Sequence, residues 1–469
     1  MKQKFKSKKA MKTIKVFLIS LLFFTGMVVY GQDQSYKLTL EQAREYALKN
    51  NKSLMNARAG VVSAQQKVKE TVAQGLPQVE GSLNYLTYFN YEMNFSLGSS
   101  DEQPNINYAL LDMGDIELLN AISQMFGSSE PIVMNDQLSG KVQLSQLIFS
   151  GQYLAGIKTA KIARRLAEQS LTASEQDIKE NITNTYYQIL TSEQTLKIIN
   201  SNIKNLQDIL VHTTNMYKTG LAEETDVDQL KITVNQLKNT QKSLERMTQL
   251  TYNMLKFQLG VPPATLIELA DSLPQVLEAA RPQQALAADF NISENINYQM
   301  MESQVLLTEK QVGINKWAYS PTLVGFYNYT GKILKTDFDL NPSHMAGVTL
   351  SVPIWSSGVR RAKLSQSKIS YDIAKRNLDI VKDQLELQKT QLLFVYQNAL
   401  ENFETQKENV EVARRVYQSM QNKYQHGLTS SLNLTQANSN YLTAESNYFS
   451  SVLTLLQAKI SLEKLYNKI

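Results

Sequence analysis

The 469-residue chain contains no cysteine. That excludes disulfides, thiolate metal sites, cysteine nucleophiles and a lipid attached through an N-terminal cysteine. Histidine is nearly as scarce: His212, His344 and His426 stand far apart in sequence, and each reads as a solvated polar residue rather than a ligand. No Gly-rich phosphate loop, HExxH or GxSxG occurs, and the Asp/Glu pairs fall on helix faces that read as solvated. The chain therefore offers no catalytic, cofactor or metal constellation. After residue 30, no apolar run approaches the roughly 18 residues that a membrane-spanning helix needs.

The first 15 residues carry seven lysines and no acid, and an apolar run at 16–29 follows. That run is too short to span a bilayer as a helix. With Gly31 preceding Gln32-Asp33-Gln34, residues 1–31 read as a signal peptide cleaved near Gly31. Its seven lysines turn a formal charge of +5 for the whole chain into −2 for the remainder. That balance removes the electrostatic case for nucleic-acid binding. An exported protein is expected, either soluble or a β-barrel.

What the chain does contain is one long pattern, used twice. Residues 151–219 run without proline, and with one further glycine (Gly156), to a turn at Tyr217-Lys218-Thr219-Gly220. A second copy leaves Gly358 and turns at Tyr424-Gln425-His426-Gly427, so that both pairs of glycines are 207 positions apart. A seam of Ile189, Leu196, Ile203, Leu210 and Tyr217 recurs as Tyr396, Phe403, Val410, Tyr417 and Tyr424. A seven-residue period kept over several heptads predicts a long helix packed as in a coiled coil. At 1.5 Å per residue, each would be about 100 Å long.

In chain order, Leu38-Thr39-Leu40-Glu41-Gln42 opens a helix, with Thr39 as N-cap and Gln42 as its capping-box partner. It is expected to reach about residue 74, where Gly75-Leu76-Pro77 breaks it. The period then switches to two. Strands are expected at about 78–91 and 138–149, separated by an insertion at 92–137 with a short helix at 116–125. The first long helix occupies about 152–218, and its return helix, about 227–259, is capped by Thr225 or Asp226. A Pro-punctuated connector at 261–290 packs outside the rods. The pattern then recurs: a helix from about 292 to 317, strands at about 322–330 and 346–355, a long helix at about 359–425 and a return helix at about 433–466. The two repeats cover 38–260 and 291–469.

The fold class is mainly α with a membrane β part. Four strands of about ten residues cannot close a barrel, since the smallest transmembrane barrels need about eight strands. An open sheet would leave edges that lipid cannot satisfy, so strands must be pooled between chains. Two copies give eight strands and a plugged pore; three give twelve and a channel. Arithmetic alone does not choose. Away from their seams the helices are rich in uncharged polar residues, as in Gln388-Lys389-Thr390-Gln391, which suits a helix lining water on one side. A secreted coiled-coil structural or adhesion protein would explain the rods but not the paired strands.

The opening Leu38-Thr39-Leu40-Glu41-Gln42-Ala43, the doubled layout and the two turns together resemble the TolC-like outer-membrane efflux proteins, or channel-tunnels. The resemblance extends over essentially the whole chain after the leader. Its most specific part is the pair of turns, Tyr217-x-x-Gly220-Leu221 leading to Asp226-Val227, and Tyr424-x-x-Gly427-Leu428 leading to Asn433-Leu434. The resemblance implies a homotrimer, its 12-stranded β-barrel in the outer membrane of a Gram-negative bacterium and continuous with a 12-helix periplasmic α-barrel. It implies no catalytic activity and no cofactor. Such a chain is the passive conduit of a tripartite efflux or type I secretion system, docking a periplasmic adaptor (membrane fusion) protein and an inner-membrane pump. Gly220, Leu221, Gly427 and Leu428 would form the docking tips, with Tyr217, Asp226, Asp228, Tyr424, Asn433 and Gln436 around the entrance. Tyr424 matches the family's tyrosine that helps to hold the closed entrance. Asn433 and Gln436 stand where well-known members carry acids, so an anionic ring from the second hairpin is not expected. Asp226 and Asp228 are acids past the first tip, and helix capping is their other reading. Without cysteine, anchoring would fall to the barrel alone. Met and His are not clustered, so nothing points to metal ions as cargo.

The 92–137 insertion is expected to cap the barrel mouth from outside the cell. Protease added to intact cells should cut within it; a chain that stays uncut under prolonged digestion places the insertion elsewhere.

Overall fold

A computed structural model describes residues 35–87, 89, 91–93, 132–134, 136–279, 290–334 and 342–469. The expected leader, most of the 92–137 insertion with its helix at 116–125, and residues 280–289 of the connector lie outside the described residues. The elements follow in the order β1 (Ser35–Leu38), α1 (Leu40–Asn50), α2 (Lys52–Ala73), β2 (Gln78–Leu86), β3 (Tyr91–Met93), β4 (Ile132–Met134), β5 (Gln137–Ser150), α3 (Gly151–Lys218) and α4 (Glu224–Leu259). Then come β6 (Leu266–Leu269), α5 (Leu273–Ala279), a 3₁₀ turn (Ile292–Glu294), α6 (Ile296–Trp317), β7 (Thr322–Leu334), β8 (His344–Ser351), α7 (Val359–Gln425) and α8 (Ser431–Leu465). They divide into a sheet unit, Val61–Ala167 with Met301–Leu378, and a helical unit drawn from Met1–Gly60, Glu168–Met300 and Asp379–Ile469.

The sheet unit holds one antiparallel sheet of order β2-β5-β7-β8. Its register sorts side chains by the two-residue period of a strand. Val79 and Leu83 of β2 share a face with Val142 and Leu144 of β5, Tyr327 and Tyr329 of β7, and Val348 and Leu350 of β8. All of these are exposed. The opposite face carries Glu80, Ser82 and Asn84 beside Gln143, Lys141 and Ser139, with Asn328 and Thr330 on the next strand. The outer edges of β2 and β8 pair with no strand among the described residues.

Strand ends differ from the expected spans for local reasons. The first strand stops at Leu86 rather than running on to residue 91; Phe89 sits at φ 51°, and Tyr91–Met93 pairs separately with Ile132–Met134. The last strand stops at Ser351, ahead of Pro353, whose missing N–H cannot continue a ladder. Thr322 pairs with both Ser150 and Ser351, so the helix-bearing ends of β5, β7 and β8 lie together. There Trp317 packs on Gly151, where an added Cβ would fall 2.2 Å from the indole. The hydroxyl of Tyr153 donates to Val72 O at 2.8 Å and Gln146 Nε2 to Gly75 O at 2.6 Å, which fastens the α2–β2 turn to the start of α3. The two starting glycines have different jobs: Gly151 is the first helical residue and gives room to Trp317, whereas Gly358 precedes α7 with φ +86°.

In the helical unit the capping box at Thr39 forms: Gln42 N donates to Thr39 Oγ1 at 3.3 Å and Thr39 N to Gln42 Oε1 at 3.0 Å. The single opening helix expected up to residue 74 is two helices, however. Asn51 is extended (φ −64°, ψ 124°), and its side chain accepts from Leu54 N at 3.1 Å while donating to Gln258 O at 2.7 Å. A short polar side chain that bonds nearby backbone competes with the helix at that point. A parallel pair, β1 with β6, also escapes a reading based on periodicity because each strand has only four residues. Tyr186 of α3, fully buried, ties this pair down. Its hydroxyl lies 3.0 Å from Leu38 O and 2.9 Å from Asp271 Oδ2, and Asp271 Oδ2 also accepts from Leu40 N at 2.7 Å. Burial pushes the Tyr186 phenol well above its ordinary pKa, so it stays a donor. Ile182, Ile189, Leu255, Leu259, Val452 and Leu456 pack around it.

Tyr186→Phe should keep the apolar packing and remove the buried hydroxyl that reaches Leu38 O and Asp271, leaving Asp271 Oδ2 with Leu40 N. A loss of about 1–3 kcal/mol is expected, read as a lower denaturant midpoint; an unchanged midpoint rules the clamp out.

Candidate functional site

The helical unit contains two helix hairpins, α3–α4 turning at Gly220 and α7–α8 turning at Gly427. Both turns are built alike. Gly220 and Gly427 take φ of +77° and +69°, which L-residues with a Cβ adopt only at a cost. Leu221 N donates to Met216 O at 2.8 Å and Gly220 N to Tyr217 O at 3.0 Å; Leu428 N donates to Lys423 O at 2.8 Å and Gly427 N to Tyr424 O at 3.0 Å. This is a Schellman closure of the last helical turn. It throws the next residue outward, leaving Leu221 73% and Leu428 75% exposed.

Tyr217 and Tyr424 hold equivalent places in these closures but differ in surroundings, being 43% and 6% exposed. The Tyr424 hydroxyl lies 2.8 Å from Thr213 Oγ1, which itself donates to Ile209 O at 2.9 Å; Tyr424 is therefore the donor of the pair. Burial raises the Tyr424 pKa above its ordinary value. The return helices start earlier than expected. The cap of α4 is Glu223 rather than Thr225 or Asp226, with Glu223 N donating to Asp226 Oδ2 at 3.3 Å; α8 begins at Ser431 rather than 433, capped by Ser430. Asp226 has a second task, because its carboxylate accepts from the buried Ser431 hydroxyl of the other hairpin. Asp228, Asn433 and Gln436 are exposed. Asn433 donates to Thr429 and Gln436 to Asn440, each on its own hairpin.

Behind the tips lies a ladder that periodicity by itself did not single out. Ser431, Asn438 and Glu445 recur every seven residues along α8, all less than 5% exposed. Each reaches a different helix. Ser431 meets Asp226 of α4; Asn438 Oδ1 accepts from Asn202 Nδ2 of α3 at 2.6 Å; Glu445 Oε1 accepts from Arg414 Nη2 of α7 at 2.9 Å. The hydrogen bond to Glu445 holds the Arg414 guanidinium above its ordinary pKa. Tyr441 stacks on Tyr417 with ring centroids 5.5 Å apart, and burial first, then Tyr441, pushes the Tyr417 phenol up to about 12. A cavity of about 300 Å³ lies beside Asn202, Arg414 and Tyr417. The available signal was the seven-residue spacing of polar residues within a seam, which in coiled coils marks register-setting contacts.

A sheet with exposed apolar residues along one face and two long helix hairpins, closed by like glycine turns, occur in one chain. The chain belongs to the outer membrane efflux protein family, whose model matches residues 43–261 and 282–468. It is similar to the outer membrane protein TolC of Vibrio cholerae, at 21% identity over 261 residues, 52% of this chain and 57% of that protein. The match thus spans little more than half of that relative's length. Among solved structures, the fold is similar to VceC of Vibrio cholerae, with TM-score 0.68 and 17% identity over 91% of this chain and 95% of that one. It is also similar to CusC, with TM-score 0.71 and 14% identity over 94% and 95%, and to CmeC of Campylobacter jejuni, with TM-score 0.69 and 13% identity over 94% and 91%. At such identities these likenesses establish the fold.

A double-mutant cycle of Thr213→Val with Tyr424→Phe should give a coupling of about 1 kcal/mol in unfolding free energy. Strict additivity removes the tie between the hairpins.

Proposed function

We propose that this chain is the outer-membrane channel component of a tripartite efflux or type I secretion system, a passive conduit for small molecules. The observation that carries the reading is the sheet: one face presents exposed apolar residues on all four strands, the other is polar over most of β2 and β5, and both outer edges are unpaired among the described residues. Lipid tolerates the first face and forbids the edges. Closure by further copies resolves the conflict, and family membership favours three copies and a 12-stranded barrel over two copies and eight strands. The polar face then lines water.

The element order helix, strands, long helix, return helix occurs on either side of the connector, and we read it as an internal duplication, with repeats at 38–260 and 291–469. Three such chains supply twelve helices for a periplasmic α-barrel. The tips at Gly220–Leu221 and Gly427–Leu428 offer exposed leucines to a periplasmic adaptor protein, and an inner-membrane pump supplies the energy. The Tyr424–Thr213 and Asp226–Ser431 contacts hold the two hairpins of one protomer together near the entrance. Exposed Tyr217, Asp228, Asn433 and Gln436 are available to line it. Asp226 and Asp228, beside exposed Glu223 and Glu224, supply its acidic character, with uncharged Asn433 and Gln436 on the second hairpin. The leader at 1–31 serves export, and the barrel serves as anchor in the Gram-negative outer membrane. No catalytic or cofactor role is assigned to any residue.

Gly220→Leu or Gly427→Leu should leave trimers intact and abolish export. Neither position has an atom within 4 Å of a built Cβ, so the cost is the positive φ and any partner brought close. Crosslinked trimers with wild-type dye efflux would sink the docking role.

A further inference from the structure

The helical ends of the sheet unit carry a charge pattern that transport through a tunnel does not require. Over Gly151–Ala167 and Val359–Leu378, the starts of α3 and α7, there are ten lysines and arginines and one acid, Asp372. This contrasts with −2 for the whole chain after the leader. Lys158, Lys161, Arg361 and Lys363 are exposed, and no carboxylate pairs with them among the described residues. Immediately before α7, Ile354 and Trp355 stand 89% and 83% exposed in the turn that leaves β8. An exposed indole at the end of a lipid-facing strand is the signature of a membrane–water interface.

From Gly151 at the end of the sheet, Lys158 and Lys161 lie about 10 and 15 Å along α3, and Arg361 and Lys363 lie within about 6 Å of the start of α7. A headgroup layer is roughly 5–7 Å deep, and the field of an anionic surface reaches a further ~8 Å. Arg361 and Lys363 therefore fall at the level of the lipid phosphates, one step beyond the aromatic that marks the edge of the hydrocarbon, and Lys158 and Lys161 fall within the reach of their field. We propose that the helical end of the sheet unit is a docking collar for anionic phospholipid headgroups of the leaflet on the helical side, with Ile354 and Trp355 set in the interface and the four cations within reach of the phosphate charge. The collar rests on the membrane placement of the sheet proposed above. It adds a lipid preference to the anchoring, and a reason why the barrel sits at a fixed depth: sliding outward would pull the cations into hydrocarbon, and sliding inward would pull Trp355 into water.

The test uses the full chain reconstituted in phosphatidylcholine vesicles with spin-labelled phosphatidylglycerol or phosphatidylcholine, reading the motionally restricted lipid. Wild type should prefer the anionic lipid roughly five-fold or more, and the preference should fall with salt. Lys158→Gln, Lys161→Gln, Arg361→Gln and Lys363→Gln together should bring it near one, while Lys231→Gln with Lys242→Gln on α4 should leave it intact. If the fourfold variant does not fold, Arg361→Gln with Lys363→Gln carries the same comparison at two exposed sites. Equal retention of both lipids by wild type, or a preference unchanged in the variants, overturns the collar. Loss of the preference to inorganic phosphate at constant ionic strength assigns the cations to a soluble anion and overturns it too. Wild-type chain that alkaline carbonate extracts from the vesicles overturns the membrane placement itself, and the collar with it; integrated chain without a lipid preference leaves that placement standing and removes only the collar.

Discussion

A backbone amide or carbonyl in hydrocarbon has no water to fall back on, and each one left unpaired costs several kcal/mol. With the sheet placed in the membrane as proposed, that constraint acts on the outer edges of β2 and β8. The four-stranded sheet has the side-chain pattern of a lipid-facing wall, with Val79, Leu83, Val142, Leu144, Val348 and Leu350 on one face, yet its edges have no partner within the chain among the described residues. Everything proposed about assembly follows from pairing those edges with other copies. Closure also gives the opposite face, with Glu80, Ser82, Asn84 and Gln143, the water it needs.

In the helical unit the corresponding constraint is burial of polar groups. A seam made only of Leu and Ile tolerates slippage by a heptad, because one apolar contact replaces another. Ser431, Asn438 and Glu445 do not tolerate it: a shifted α8 would separate Glu445 from Arg414 and Asn438 from Asn202, leaving buried polar groups unpaired. Each rung addresses a different helix, so one helix sets the register of three others. The tips inherit their geometry from this arrangement. The Asp226–Ser431 contact is the lowest rung of the same ladder, and Tyr424–Thr213 lies beside it.

Much of this was legible from residue order. The capping box at Thr39, the switch to period two after Pro77 and the glycine turns at 220 and 427 each rest on a local rule, and each element lies where its rule puts it. The departures have local causes of another kind. Asn51 breaks a helix through a bond to Gln258, more than 200 residues away, and the β1–β6 pair depends on Tyr186 and Asp271 being brought together. Tyr217 and Tyr424 look alike in sequence and differ in exposure, since only the second seam stays buried down to its tip.

The sequence by itself determined the kinds of element, their order, the chemistry it lacks and the two tips, because helix period, strand period, capping and positive-φ glycine are properties of neighbours along the chain. The tertiary structure decided which polar residues face one another. Asp226 with Ser431, Asn202 with Asn438 and Arg414 with Glu445 are separated by 31 to 236 positions, and no local rule pairs them. It also decided that exposed apolar residues from all four strands share one face. Each strand alternates by its own rule, but only the register between strands, set by hydrogen bonds across the sheet, aligns those alternations into a surface that lipid would accept.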